Sequence, residues 1–298
     1  MYFLNRGQST RDTPEGVHQI VGDIRDPQSV SSAIGDMTFD AVVNWIAFTP
    51  HHIQQDIDMF KGKTGQYIFI SSASAYQTPP STLPVTESTI LDNPFWEYSR
   101  NKIACEELLV EAYRKEKFPM TIVRPSHTYD HRLLPFDHGW TVVDRMRQGK
   151  PVIVHGDGTS IWVLTHHTDF AKGFVPLLGN PHAIGEAYHI TSDELLTWNE
   201  IYDQVAAAAG TTAIKVHVAS ETLAKHDENW GPGLLGDKAN SMIFDNSKIK
   251  KLAPDFLCTT PFRRGAEEII AWYDGDESRR IVNLTNDALE DKLVELYG

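Results

Sequence analysis

The stretch Tyr67-Ile-Phe-Ile-Ser-Ser-Ala-Ser-Ala-Tyr76 decides the fold class of this 298-residue chain. Its first four residues are apolar, which is typical of a strand buried on both faces of a parallel sheet. The next five residues, Ser71–Ala75, are small, and three of them carry hydroxyl groups. Hydroxyls at the carboxyl end of a central strand face the crevice in which open α/β sheets bind ligands. The stretch therefore predicts a parallel α/β sheet with a polar site at one strand end.

Short apolar strands alternate with amphipathic helices on both sides of this stretch, as they do in βαβ units. The predicted strands are Tyr2–Leu4, His18–Val21, Ala41–Trp45, Tyr67–Ile70 and Thr121–Val123. The predicted helices of this half are Gln28–Ile34, His51–Phe60 and Tyr98–Lys115. We therefore expect a Rossmann-like parallel sheet with helices on both faces.

From about Asp130 this alternation gives way to loops that contain Pro and Gly, which predicts a smaller carboxyl-terminal substrate lobe. Its predicted helices lie near Trp140–Gln148, Asp169–Leu178, Trp198–Ala209 and Pro261–Trp272. The stretch Glu228–Lys238, rich in Gly and Trp, is predicted to be a loop. We expect a dinucleotide-binding domain over 1–130 and about 163–190, and a substrate-binding lobe over about 131–162 and 191–298.

The charge and hydropathy of the chain limit its classes of partner. Its 27 Lys and Arg against 40 Asp and Glu give a net charge of −13, without a long block of one sign. Nucleic-acid binding normally needs a basic stripe, so we expect no nucleic-acid partner. No run approaches the roughly 20 apolar residues of a bilayer span, and no signal-peptide pattern opens the chain. We expect a cytoplasmic protein with no membrane partner and with Cys105 and Cys258 as reduced thiols.

Tyr98 and Lys102 stand four residues apart at the start of a predicted helix, so they share one face of it. At about 5 Å and an effective dielectric near 20, the ammonium would stabilise a phenolate by roughly 3 kcal/mol. This corresponds to lowering the tyrosine pKa by about two units from about 10. Such a phenol could exchange a proton with a hydroxyl or carbonyl group near neutral pH, as a general acid–base must.

A second pair with the same spacing, Tyr113 and Lys117, shows that the spacing alone is not specific. Tyr113 stands near the charged end of the same predicted helix, so we predict a solvated surface role for it. Tyr98 opens the helix and follows the hydroxyl-rich strand end that contains Ser72. Context therefore favours Ser72, Tyr98 and Lys102 as one catalytic set.

The chain resembles an extended short-chain dehydrogenase/reductase, the group that contains sugar-nucleotide epimerases and dehydratases. The resemblance runs from Tyr2 to about Thr191. Its matching segments, in order, are Gly22–Asp26, Asp40–Ala47, Ser71–Tyr76, Tyr98–Lys102, Arg124-Pro125, Gly156–Gly158 and His166–Asp169. It implies that Ser72 hydrogen-bonds the substrate oxygen, that Tyr98 is the acid–base, and that Lys102 holds the cofactor ribose and lowers the pKa of Tyr98.

The resemblance also implies which residues bind the cofactor and the substrate. The implied cofactor contacts are Asn5, Arg6, Asp23, Ile24, Ala47 and Pro125. The implied substrate contacts are Ala73, Ser74, His127 and His131. Asp23 and Ile24 would lie against the adenine, and Ala47 and Pro125 nearer the nicotinamide. An acidic residue at the position of Arg6 would bind the 2′-hydroxyl of NAD, whereas an arginine favours a 2′-phosphate, so we expect NADP rather than NAD.

The chain departs from the family at its beginning, because no strand followed by a GxxGxxG segment precedes Tyr2. In the family those glycines let the backbone approach the cofactor pyrophosphate at a helix N-terminus. The missing strand would be the central one, so we expect an N-terminally truncated sheet in two pieces, each with an unpaired edge. We expect the natural start to lie about 30 residues upstream, as one strand and its glycine-rich turn require. The alternative is a degenerate member that no longer binds a dinucleotide.

Two further departures bear on the substrate. Nucleotide-sugar enzymes of the family commonly bind the diphosphate with an Arg at a position that here holds Trp162. Dehydratases replace Ala73-Ser74 with an Asp-Glu pair. Residues 126–131, with two His and one Asp, are predicted to form a polar substrate loop and no metal site. We expect an NAD(P)-dependent oxidoreductase or epimerase that acts on a carbonyl or hydroxyl carbon of a small polar, sugar-like substrate.

Two alternatives remain open from the sequence. One is a non-catalytic, NADP-sensing or RNA-binding module on the same fold, such as the related chloroplast stem-loop-binding proteins. The other is an interaction protein in which a partner supplies the missing strand. A homodimer through the helix that bears Tyr98 is implied by the resemblance alone.

Overall fold

The computed structural model describes residues 1–8 and 11–298, which form two compact units. The first unit contains Met1–Ile70, Ala104–Ile122 and Leu178–Glu186. The second unit contains Ser71–Ile103, Val123–Leu177 and Ala187–Gly298. The predicted dinucleotide and substrate domains have different bounds, and that functional division stays a prediction.

The elements of the first half lie close to their predicted bounds, which confirms the βαβ alternation. The strands are β1 (Tyr2–Asn5), β2 (His18–Val21), β3 (Val42–Asn44), β4 (Tyr67–Ile70) and β5 (Met120–Pro125). The helices are α1 (Pro27–Ile34), α2 (Pro50–Phe60) and α3 (Glu97–Glu116). A proline occupies the first turn of both α1 and α2, where its missing N–H costs no hydrogen bond.

The second half contains more elements than its sequence predicted. Its strands are β6 (His127–Tyr129), β7 (Val152–His155), β8 (Ile161–Trp162), β9 (Leu164–His166), β10 (Ala187–Ile190), β11 (Leu196–Thr197) and β12 (Lys215–Val218). Its helices are α4 (Trp140–Arg147), α5 (His167–Phe174), α6 (Trp198–Ala208), α7 (Ser220–His226), α8 (Trp230–Gly233), α9 (Ser247–Leu252), α10 (Phe262–Asp274) and α11 (Leu284–Tyr297). Short 3₁₀ turns occupy Ala73–Ala75, Val175–Leu177, Pro181–Ala183 and Glu277–Arg279.

The predicted loop over Glu228–Lys238 is wrong. This stretch contains α8 and then a π-helical turn, Leu234–Lys238. Gly and Pro in the sequence indicated a break, but tertiary packing overrides that weak local preference. Leu234 is fully buried among the side chains of the second unit, so the segment is part of a core.

The sheets confirm the parallel α/β class. In the first unit, one sheet contains β5, β4 and β3 in that order, and β3 runs parallel to β4 with Val42 opposite Tyr67. A separate parallel pair joins β1 to β2, with Asn5 opposite Val21. The strands of the amino-terminal half thus lie in two separate sheets, which agrees with the two sheet pieces expected from the sequence. The expected upstream strand itself stays a prediction.

The second unit has a large aromatic core around α6. The rings of Trp162 and Trp198 stack with their centres 4.6 Å apart, and both are nearly fully buried. Thr197 and Glu200 form a capping box that fixes the start of α6 directly before Trp198. These contacts fix the position of Trp162 on β8. Among the helices of residues 1–8 and 11–298, none combines the length and apolarity that a bilayer span needs.

A buried carboxyl group connects three elements of the first unit. Asp56 on α2 accepts hydrogen bonds at its Oδ2 from the Tyr67 hydroxyl and from the Asn44 Nδ2, both at 2.5 Å. Burial raises the pKa of Asp56 to about 6, and these two donors and the charge of Arg25 offset only part of the rise. The folded unit therefore binds the proton of Asp56 more tightly than the unfolded chain does.

Asp56→Asn should flatten the pH dependence of stability of this protein. Because the folded pKa is raised from 3.8 to about 6, the contribution of Asp56 is fully present below the lower value. This contribution is lost as the pH rises through the folded pKa of about 6, which lowers the free energy of unfolding by about 3 kcal/mol. Urea unfolding at about pH 4 and about pH 7 measures this, with Asp58→Asn on the exposed face of α2 as the matched control. Parallel pH profiles for wild type and Asp56→Asn would contradict it.

Candidate active site

The end of β4 leads into a hydroxyl-lined turn. The backbone N–H of Ser71 donates to the Val123 carbonyl at 2.7 Å, which continues the strand pairing by one residue. Ser72 then caps the 3₁₀ turn that begins at Ala73, and its Oγ accepts from the Ser74 backbone N–H at 3.1 Å. The cap fixes the Ser72 hydroxyl at the strand end.

The start of α3 is fixed by Asn93. Its Oδ1 accepts from the backbone N–H groups of Phe95 and Trp96 at 3.2 and 3.1 Å, so the chain turns into the helix at that point. Its Nδ2 donates to the Ser74 carbonyl at 2.8 Å. One buried amide thereby connects the serine turn to the first helical turn, where Tyr98 lies.

The predicted catalytic residues come together in the second unit. Tyr98 and Ser72 are hydrogen-bonded through their side chains. The Ser72 and Ser74 hydroxyls are 2.9 Å apart, and the Ser99 hydroxyl donates to Ser74 Oγ at 2.8 Å. The Lys102 ammonium lies 5.6 Å from the centre of the Tyr98 ring, and the Lys102 side chain is buried. The arrangement presents a phenol and a hydroxyl side by side, with a cation nearby.

The expected lowering of the Tyr98 pKa is wrong for the chain on its own. Burial raises the pKa of Tyr98 above its usual value near 10, and the hydrogen bond with Ser72 lowers it by less. The nearby charge of Asp237 raises it further. The Lys102 ammonium is placed over the ring of Tyr98, which does not offset these effects. The phenol is therefore protonated at neutral pH and is set up to donate a proton.

The second Tyr-Lys pair does not form the same arrangement. Lys117 lies beyond the end of α3 and has a φ of 60°, so it does not share a helical face with Tyr113. Tyr113 packs against Gly185, where a Cβ would come within 2.6 Å of its ring. Tyr113 therefore packs within the first unit, and the solvated surface role predicted for it is wrong.

The residues expected at the adenosine end of the cofactor lie in the first unit. Asn5 and Val21 are paired at the ends of parallel β1 and β2, so Arg6 and Asp23 both follow carboxyl ends of the same sheet. Arg6 is exposed, and Asn5 Oδ1 accepts from the Gly7 backbone N–H and from Gln19 Nε2, both at 2.8 Å. An exposed guanidinium at a strand end suits a phosphate group, and the expected preference for NADP over NAD stays a prediction.

The other expected cofactor contacts differ in exposure. Ile24 and Pro125 are half-buried, whereas Ala47 is fully buried in the first unit. Pro125 follows Arg124, whose Nη1 donates to the Tyr76 hydroxyl at 3.1 Å. This contact fixes the end of β5, where Pro125 is the last residue.

The expected substrate residues have different surroundings. Ala73 and Ser74 are buried in the serine turn. The His127 ring lies 4.6 Å from that of Trp162, and burial lowers the pKa of His127 to about 3, so it is neutral. The described contacts of His131 are with Arg132 and with the Trp272 ring, 6.0 Å away. Across the described residues, no group of three or more His, Cys, Asp or Glu side chains could hold a metal ion.

Sequence reasoning missed two residues of the site. Asn93 could have been recognised from the sequence, because it precedes Pro94 and an Asn-Pro pair is a signal for a turn before a helix. Asp237 lies in the stretch Glu228–Lys238, which the sequence predicts to be a loop. No local pattern marks it, because its position next to Tyr98 depends on packing that is distant in sequence.

Known proteins are similar to this chain in sequence. The family described as NAD dependent epimerase/dehydratase matches residues 2–191. The 2′-dehydrokanamycin reductase of Streptomyces kanamyceticus is 28% identical over 85% of this chain and 71% of its own length. The chloroplast stem-loop binding protein of 41 kDa b of Arabidopsis thaliana is 26% identical over 68% of this chain. The match covers 52% of that protein, so this chain spans about half of its length.

The solved structures show the same fold. UDP-glucuronic acid 4-epimerase from Bacillus cereus, in complex with UDP-glucuronic acid and NAD, aligns with a TM-score of 0.70 and 21% identity. The alignment covers 88% of this chain and 83% of that one. The matched residues 2–191 include the strand end, the serine turn and the helix that bear Ser72, Tyr98 and Lys102. This chain therefore belongs to the NAD dependent epimerase/dehydratase family.

Proposed function

We propose that this chain is an NADP-dependent reductase that acts on a carbonyl carbon of a small sugar-like substrate, with Tyr98 as the proton donor. The observation that carries the proposal is the hydrogen bond between Tyr98 and Ser72 with Lys102 beside them. A family match alone gives no reaction, because one fold serves many chemistries.

The three side chains divide the work of proton transfer. A substrate carbonyl oxygen placed against Ser72 and Tyr98 receives a hydrogen bond from each hydroxyl. The raised pKa of Tyr98 keeps its proton available at neutral pH, as reduction requires of an acid. Lys102 stabilises the phenolate that forms as the proton leaves. When bound, the nicotinamide cofactor supplies the hydride that reaches the carbonyl carbon.

The cofactor preference rests on the end of β1. Arg6 is exposed after Asn5 and would bind the 2′-phosphate of NADP, and Asp23 and Ile24 would lie against the adenine. Pro125 and Ala47 would contact the nicotinamide half, as the family resemblance implies. A homodimer and a cytoplasmic location stay predictions.

Reduction is favoured over epimerisation by the relatives. The reductase named for 2′-dehydrokanamycin matches 85% of this chain, compared with 68% for the chloroplast stem-loop binding protein. The turn holds Ala73 and Ser74, without the carboxylates of a dehydratase. A reductase consumes NADPH in step with product, whereas an epimerase restores its cofactor in each turnover, so stoichiometry separates the two.

Tyr98→Phe should lower turnover by a factor on the order of 10² to 10⁴, because it removes the donated proton. Reduction is measured as NADPH oxidation with 2′-dehydrokanamycin, and epimerisation is measured separately as formation of the epimeric sugar from UDP-glucuronic acid with NADP⁺, because an epimerase causes no net NADPH oxidation. NADPH binding, followed by nicotinamide fluorescence, should be unchanged in the variant. Tyr113→Phe is the matched control on the same helix and should retain turnover.

Two outcomes would contradict this proposal. One is a Tyr98→Phe variant that binds NADPH and turns over at the wild-type rate. The other is a wild-type protein that binds NADPH but converts neither probe nor a panel of keto sugars. That second result would favour a cofactor-sensing role on the same fold.

Arg6→Glu should reverse the cofactor preference. The wild-type chain is expected to bind NADPH about tenfold tighter than NADH, because a guanidinium–phosphate contact is a charge-assisted hydrogen bond. A carboxylate at this position repels the 2′-phosphate and accepts from the ribose hydroxyls of NADH. Dissociation constants from fluorescence titration measure the change, with Arg114→Glu at the exposed end of α3 as control. An unchanged preference in Arg6→Glu would contradict the assignment.

A further inference from the structure

A chain of three serine hydroxyls lies beside the candidate catalytic residues of the second unit. The Ser99 hydroxyl, on the first turn of α3, donates to Ser74 Oγ at 2.8 Å. Ser74 Oγ lies 2.9 Å from the Oγ of Ser72, just beyond the end of β4. Ser99 is fully buried and Ser74 nearly so. The chain therefore leads from the interior of the unit to Ser72.

The direction of the hydrogen bonds along this chain follows from the number of protons and lone pairs. Each serine hydroxyl has one proton to donate and two lone pairs that accept. Ser74 Oγ accepts from Ser99, and the described partners of the Ser74 hydroxyl are Ser99 and Ser72. If Ser72 donated to Ser74, the Ser74 proton would be buried without an acceptor, which is costly. The Ser74 hydroxyl therefore donates to Ser72.

The Ser72 oxygen then has no lone pair left to accept another hydrogen bond. It accepts from the Ser74 backbone N–H at 3.1 Å as well as from the Ser74 hydroxyl, which occupies both lone pairs. The proton of Ser72 is therefore left to donate, and Ser72 is the donor in its hydrogen bond with Tyr98. The Tyr98 proton is not used by Ser72, so it is available to a substrate.

A hydroxyl that can only donate suits a carbonyl substrate. A carbonyl oxygen accepts hydrogen bonds and cannot donate one, so it is complementary to the Ser72 hydroxyl. Hydrogen bonds in a chain also polarise one another, so donation by Ser99 and Ser74 strengthens the donation by Ser72. The effect grows as negative charge develops on the carbonyl oxygen in the transition state.

We propose that Ser74 and Ser99 are positioning residues that hold the Ser72 hydroxyl as a donor to the carbonyl oxygen of the substrate. Both act through Ser72, so Ser74 has an indirect role in place of the substrate contact that the family resemblance implies. This inference rests on the proposed function, because it takes a carbonyl substrate at Ser72 and Tyr98. Its test includes a measurement without substrate, so it can fail or succeed independently of turnover.

Ser99→Ala removes the donor that fixes the direction of the chain. In NADPH-dependent reduction of 2′-dehydrokanamycin, kcat should fall by about three- to tenfold, because Ser72 donates less strongly to the charged oxygen of the transition state. KM should stay within about twofold of wild type, since the ground-state oxygen carries less charge. Ser74→Ala should have the same effect, and Ser74→Thr, which retains a hydroxyl, should restore kcat to within about twofold of wild type.

Ser71→Ala is the matched control, because Ser71 is the neighbouring buried serine outside the chain. Ser71 is nearly fully buried, and among the residues that the structure describes its hydroxyl has no hydrogen-bond partner. This variant should keep the kcat and KM of wild type. Thermal unfolding shows that each variant is folded, and alanine at position 99 suits the helix that contains it.

The pKa of the Tyr98 phenol, followed by NMR without substrate, is the measurement that does not depend on turnover. Ser99→Ala should raise this pKa by about half a unit, because a weaker donation from Ser72 stabilises the phenolate less. Ser71→Ala should leave the pKa of Tyr98 unchanged.

Three results would overturn the proposal. The first is an unchanged Tyr98 pKa in a folded Ser99→Ala protein. The second is an equal loss of kcat in Ser71→Ala, and the third is a loss that appears in KM alone, because a general structural role predicts both. A raised Tyr98 pKa in a Ser99→Ala protein whose wild type reduces no keto sugar would contradict the proposed function and leave the orientation of Ser72 standing.

Discussion

The candidate active site depends on one buried side-chain amide, that of Asn93. Both of its N–H donors are used, one by the Ser74 carbonyl and one by the Gly236 carbonyl. Its oxygen accepts from two backbone N–H groups that open α3. A buried amide with all these partners is costly to disturb, because each lost partner leaves a polar group without water. The serine turn, the tyrosine helix and the π-helical turn therefore hold one arrangement.

The charges around Tyr98 determine what this arrangement can do. The Lys102 ammonium lies over the ring of Tyr98, and the charge of Asp237 raises the pKa of the phenol. Burial disfavours the phenolate, and the net effect is a neutral acid. A neutral phenol that is hydrogen-bonded to Ser72 suits proton donation to a carbonyl oxygen.

The sequence predicted the elements that depend on short-range pattern and missed those that depend on distant packing. The strand at Tyr67–Ile70 and the helix that opens near Tyr98 were predicted correctly, because apolar runs and helical spacing are local signals. The π-helical turn could not be predicted, since Gly236 and Asp237 take their places from contacts with Trp96 and Trp162. The predicted lowering of the Tyr98 pKa was wrong for the same reason, because the pKa is raised. The spacing between Tyr98 and Lys102 indicated the attraction between a phenolate and an ammonium. It indicated neither the burial of Tyr98 nor the effect of the Asp237 charge.

The proposed reduction requires Tyr98 to be a neutral proton donor in the resting protein. The most direct test is a pH titration of the Tyr98 phenol by NMR, with the tyrosine Cζ labelled and the signal assigned by its loss in Tyr98→Phe. We predict that the phenol stays protonated up to a pKa above the usual tyrosine value of 10.0. A pKa near neutrality would contradict this account and would instead support activation of the tyrosine by Lys102.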